Sequence, residues 1–143
     1  MYQYSLYLFK APYAEYFYFK IDTIYYFLKE LRKTNGLTEV NNPFKTVVHS
    51  INVLDIVFHL RYYLNDLHVD VYNNVITVKD KENDLSIYVH EYSLEIYADS
   101  LVSADRLFFQ HIKSYYPHIF VANFENNDCG WITPLAKKEL YRL

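Results

Sequence analysis

Glycine is nearly absent from this chain of 143 residues: Gly36 and Gly130 are the only two. A phosphate-cradling loop needs several glycines close together, so Walker-type loops and dinucleotide fingerprints are excluded. A G-x-S-x-G nucleophile elbow and the protein-kinase signature set are missing as well. Cys129 is the lone cysteine, so no intramolecular disulfide can form, which fits a reducing compartment. No run of about 18 apolar residues exists to cross a bilayer. The N-terminus lacks the basic and continuous apolar regions of a signal peptide, since Lys10 and Lys20 interrupt it. These absences lead us to expect a cytoplasmic, soluble protein.

Aromatic side chains are what the chain has in excess. Tyrosine occurs 17 times and phenylalanine 10 times. Twelve of the first 27 residues are one or the other. Apolar content of 52% is enough for a core, and one domain spanning 1–143 fits the length. Phe, Tyr, Ile, Asn and Lys all have AT-rich codons, so part of the excess reflects coding composition. With glycine so scarce, the pairs Asn41-Asn42, Asn73-Asn74 and Asn126-Asn127 take over the turns, because Asn best tolerates positive φ after Gly.

The net charge of −3 is unevenly spread. Residues 55–128 hold twelve acidic and five basic groups, while both flanking segments are net positive. An acidic middle argues against nucleic-acid binding, which needs Lys and Arg against phosphate. It suits a basic protein partner.

Hydrophobic periodicity supplies the elements. Residues 2–9 alternate as a strand, Lys10-Ala11-Pro12 breaks it, and 13–21 alternate again, which predicts an N-terminal aromatic hairpin. Asp22 or Thr23 then caps a helix carrying Ile24, Phe27, Leu28 and Leu31, which Asn35-Gly36 stops. Leu37–Lys45 reads as a loop. A second helix starts near Ser50 or Asn52, with Val53, Val57, Leu60 and Leu64 inward. Two short strands flank Asn73-Asn74, and a turn at 81–84 leads into 85–97, read with a slight preference as one long or bulged strand rather than two. A third helix runs from about Leu101 to Tyr115 and ends at Pro117. His118–Phe124 is a buried strand, 125–130 a turn, and Thr133-Pro134 opens a last short helix. The fold class is therefore α+β: a single domain with a mainly antiparallel sheet, the hairpin, and about four helices.

The search for chemistry gives little. The histidines show no metal-ligand spacing, and Asp55 with His59 reads as a surface pair, so no metal or cofactor is expected. Cys129 reads as a buried structural thiol. Tyrosine rings without basic charge do not make an RNA-stacking platform. No catalytic residue is assigned, and the chain reads as non-enzymatic. The candidate partner-binding residues are Asp80, Glu82, Asp84, Tyr88, Glu91, Tyr92, Glu95 and Asp99, since Tyr is favoured in interface cores and carboxylates steer a basic partner. The leading expectation is an inhibitor or immunity-type neutraliser of a basic protein such as a nuclease toxin. The alternatives are a homodimeric structural or phage/plasmid accessory protein, and a small-molecule or enzymatic site near His90, His118 and Cys129.

Overall fold

A computed structural model describes residues 2–33, 43–63, 67–132 and 141–142. They form one α+β domain around an antiparallel sheet. The strands are β1 (Tyr2–Leu8), β2 (His68–Tyr72), β3 (Val75–Lys79), β4 (Asp84–Val89), β5 (Leu94–Ala98), β6 (Ile119–Asn123), β7 (Asp128–Trp131) and the two-residue β8 (Tyr141–Arg142). Their spatial order is β2-β3-β4-β5-β1-β6-β7-β8. The first strand thus sits in the middle of the sheet, paired to β5 and β6.

The predicted aromatic hairpin does not form. After β1 the chain enters α1 (Ala11–Phe17) and then α2 (Ile21–Lys33). Pro12 lies in the first turn of α1, where a missing N–H costs nothing, so it starts a helix rather than separating two strands. Ala14 is buried, and Tyr13 and Phe17, four apart, are half-buried on the same side. That is helical spacing, and the apparent alternation of 13–21 came from rings occurring at nearly every position.

Two further helices precede β2: α3 (Pro43–Val47), at the end of the segment read as a loop, and α4 (Val53–Tyr63). The Asn52 side chain accepts a hydrogen bond from the Leu54 N–H and caps α4. Residues 101–112 form α5, which is α-helical over Leu101–Ala104, π-helical over Asp105–Phe109 and α-helical again over Gln110–Ile112. Leu107, Phe108 and Phe109, all buried, lie within the π-helical turn. Ser100 caps this helix by accepting from the Ser103 N–H. The predicted last helix at Thr133-Pro134, the Asn35-Gly36 stop and Leu64 lie outside the described residues.

Residues 85–97 form two strands, contrary to the slight preference for one. The turn at 90–93 contains no Gly, Pro or Asn, so nothing in its composition announced it. It is closed by the His90 N–H donating to the Ser93 carbonyl and held by the Ile51 N–H donating to the Glu91 carbonyl. The Asn73-Asn74 turn forms as read, with Asn73 at φ 54°. Asn127 takes the same left-handed conformation, at φ 56°.

The sheet has two unlike faces. One is covered along β1–β6 by α4 and α5, whose Ile56, Leu60, Leu107 and Phe108 pack on Leu6, Ile76, Ile87 and Ile96. The other is covered by α1 and α2 only over β1, β6 and β7, where Ile24, Tyr25 and Leu28 pack on Tyr7, Phe120, Cys129 and Trp131. Among the described residues no helix is long and apolar enough to cross a membrane.

Candidate functional site

The eight expected partner-binding residues do not share one surface. Asp80 builds the β3–β4 turn: its carboxylate accepts from the backbone N–H groups of Glu82 (2.8 Å) and Asn83 (2.7 Å) and meets Arg106 Nη1 at 2.6 Å. The Asn83 N–H, the Arg106 guanidinium and the Glu82 N–H together hold its pKa down at about 2. Glu82 and Asp84 stand exposed beside it. At the opposite end of β4, Glu91 is exposed and Tyr92 half-buried in the 90–93 turn, whereas Asp99, exposed just after β5, lies at the Asp84 end.

Glu95 corrects the expectation that the carboxylates of this segment face water. It is 8% exposed, on the sheet face that α2 borders. Arg32 Nη1 donates to its Oε1 at 2.9 Å. Its Oε2 accepts from the Ser5 hydroxyl at 2.6 Å and from Gln3 Nε2 at 3.1 Å. Arg32 also reaches Ser5 Oγ at 3.0 Å, and its guanidinium lies 4.7 Å from the centre of the Phe124 ring. Burial pulls the Arg32 pKa down, but Glu95 and Tyr7 outweigh it and the guanidinium is held more firmly protonated than usual. Above this network lies an open groove of about 580 Å³, bordered by Phe44, Tyr92 and Tyr97. Tyr7 forms part of its lining, and burial, then the nearby Glu95 charge, pushes its hydroxyl up to about 12.

Tyr88, expected to share a face with His90, Tyr92, Leu94 and Ile96, is separated from the last two by the turn. Leu94 and Ile96 are fully buried under α4 and α5. Tyr88 is 42% exposed on the other face, where its ring meets Tyr97 edge-on at 5.3 Å.

A second surface, which periodicity had assigned to a strand, lies on α1 and α2. Phe9, Tyr13, Phe17, Ile24, Phe27 and Val47 enclose a wholly apolar cleft of about 230 Å³. Tyr16, whose ring meets the lining residue Phe17 edge-on at 4.8 Å, is 68% exposed, and Phe19, two residues beyond Phe17, is 91% exposed. The segment is anchored from below. Tyr18 stacks on Trp131 at 5.7 Å, and Trp131 Nε1 donates to the Tyr18 carbonyl at 2.9 Å. Lys20 Nζ sits 4.3 Å above the Tyr16 ring and keeps that ring in place. The missed signal was Pro12 followed by the i, i+4 pair Tyr13 and Phe17.

The alternative site at His90, His118 and Cys129 is not assembled. His90 stands exposed in the 90–93 turn and His118 precedes β6. Cys129 is fully buried under α2, and burial, with Asp128 adding to it, pushes its thiol up to about 12. A thiol so raised supplies no thiolate near neutral pH. His59 Nε2 meets the His111 carbonyl at 2.8 Å and the Ser114 hydroxyl at 3.1 Å. Among the described residues no three metal-ligating side chains come together.

Comparison with curated proteins gives no match. A family does match: residues 2–136 fit the family described as sporulation inhibitor of replication protein SirA. This overturns the expected immunity-type neutraliser of a toxin, together with the structural or accessory homodimer and the small-molecule site. An inhibitor of replication acts on a process of the cell itself, so the antitoxin reading of the acidic segment falls. The match runs across nearly the whole chain, from β1 through the described end of β7, and this protein belongs to the SirA family of sporulation inhibitors of replication.

Proposed function

We propose that this protein inhibits DNA replication during sporulation by occupying a protein of the replication apparatus, and that it docks through the aromatic surface of α1 and α2. It acts in the cytoplasm, where the chromosome is copied, and it acts by occupancy, without turning over a substrate.

The observation that carries the choice of surface is Phe19, 91% exposed two residues beyond Phe17, which lines a wholly apolar cleft. Exposing a full phenylalanine forgoes about 2 kcal/mol of burial that a partner can supply. Aromatic residues around a pocket that accepts a partner's side chain are the usual anchors of protein interfaces. Tyr18 and Trp131 fix the segment, so little ordering entropy is lost on binding.

The test replaces Tyr16 and Phe19 by serine in the full chain and follows new rounds of replication in spore-forming cells. The native chain reduces initiation and the folded double variant does not. A folded variant that still inhibits would remove α1 and α2 as the contact.

A further inference from the structure

We propose that the α1–α2 face of the sheet over β2–β5, which no helix packs on among the described residues beyond the Arg32 contact at its border, is a second docking surface, and that it takes an amphipathic helix with a basic flank from a partner protein. This goes beyond the α1–α2 contact and does not depend on it.

The first argument is the layer itself. On the face where α1 and α2 lie, the described helices pack on β1, β6 and β7 and reach β5 only at its border, where Arg32 meets Glu95, and no described helix packs on β2–β4. Cross-strand pairing places Thr77 beside Ser86, and Ser86 beside Tyr97, on this face. Val75 and Tyr88 form the next row, with Tyr72 beyond them at 79% exposure. The small Thr77, Ser86 and Val75 side chains thus neighbour the Tyr72, Tyr88 and Tyr97 rings, and this strip is the trough proposed to seat the helix. Four strands spaced by about 4.8 Å span about 14 Å between their outer axes. A helix with its side chains is about 10–12 Å across. One helix therefore fits beside α2 and continues the layer.

The second argument is charge. Residues 67–100 carry seven carboxylates and two lysines. Asp80 and Glu95 are already paired with Arg106 and Arg32, which leaves five carboxylates against two amines. Asp70, Asp84 and Glu91 are exposed on or beside the trough. A helix bringing Lys or Arg along its flank meets complementary potential, whereas an acidic helix, or a second copy of this acidic face, is repelled. The groove above Glu95 lies at the border with α2, so the trough ends in a recess able to take a helix side chain.

A photo-crosslinking residue placed at position 77 or 86 of the full chain, in spore-forming cells, tests this. The expected product joins this face to a lysine- or arginine-bearing helical peptide of another protein, identified by mass. Its yield should fall about tenfold with Asp70→Lys and Glu91→Lys, while a crosslink from position 19 is unchanged. Crosslinking to a second copy, to an acidic or non-helical segment, or to nothing would overturn the proposal. So would a yield indifferent to the charge reversals. Loss of the position-19 crosslink alone would count against the α1–α2 contact and leave this surface standing.

Discussion

Arg32 and Glu95, 63 positions apart, are joined at 2.9 Å and tie helix α2 to strand β5 at the border between the covered and uncovered halves of the sheet. Glu95 is buried, and among the described residues Arg32 is the cation that pairs with it, with Ser5 and Gln3 donating to its other oxygen. Replacing Arg32 by alanine strands a buried carboxylate. We expect a loss of about 2–3 kcal/mol, toward the low end for such pairs because the Arg32 side chain is 38% exposed. Glu95→Gln, which keeps the shape and removes the charge, should cost less. Urea unfolding of both variants checks the order. Equal costs would mean that the charge of Glu95 is not what Arg32 compensates.

Alkaline pH should unfold the protein ahead of any general effect. Tyr4 and Tyr7 are both pushed up to about 12, chiefly by burial. A group whose folded pKa is raised gives its full stabilisation below the unfolded value, near 10, and loses it as pH climbs toward the folded value. Stability should therefore hold up to about pH 10 and fall between about 10 and 12. Tyr7→Phe should flatten part of that fall, as read by thermal melts across the window. An unchanged profile would show that Tyr7 ionises without opposition in the folded state.

Cys129 should be inert in the folded protein. Its thiol is fully buried and its pKa raised, so an alkylating reagent near neutral pH should label it only at the rate of unfolding. Labelling as fast as that of a free thiol would contradict its placement under α2.

Trp131 reports on the same region. Replacing it by phenylalanine removes the hydrogen bond to the Tyr18 carbonyl and shrinks the ring stacked on Tyr18, with an expected cost of about 1–3 kcal/mol. Because Tyr18 leads directly into Phe19, the variant should also weaken partner binding more than its stability loss explains. A variant that is destabilised yet binds at full strength would separate the anchor from the contact.

How far the fold could be read from the sequence depended on local signals agreeing. The β2–β3 edge of the sheet was legible because alternation in β2 and β3 coincides with an Asn pair that accepts positive φ. The α2 stripe of Ile24, Leu28 and Leu31 was equally plain. The segment 13–21 was not, since rings at most positions satisfy periods of two and of 3.6 alike, and only Pro12 discriminated. The 90–93 turn was hidden because it holds no Gly, Pro, Asn or Asp, with Ser93 its one weak turn former, and it is held by a tertiary hydrogen bond from Ile51. Of the expected contact residues, Tyr88 and Glu91 lie open at the surface, whereas Glu95 went inward to meet Arg32. That pairing spans 63 positions and no local pattern announces it.

The central claim is that α1 and α2 present the contact by which this protein restrains replication. The direct measurement is initiation frequency in spore-forming cells that express the native chain or the Tyr16→Ser/Phe19→Ser variant at equal level. Both residues are exposed, so the variant's stability should stay within about 0.5 kcal/mol of native. The account predicts that the native chain lowers initiation and that the folded variant leaves it near the uninhibited level. Equal inhibition by the two chains would contradict it.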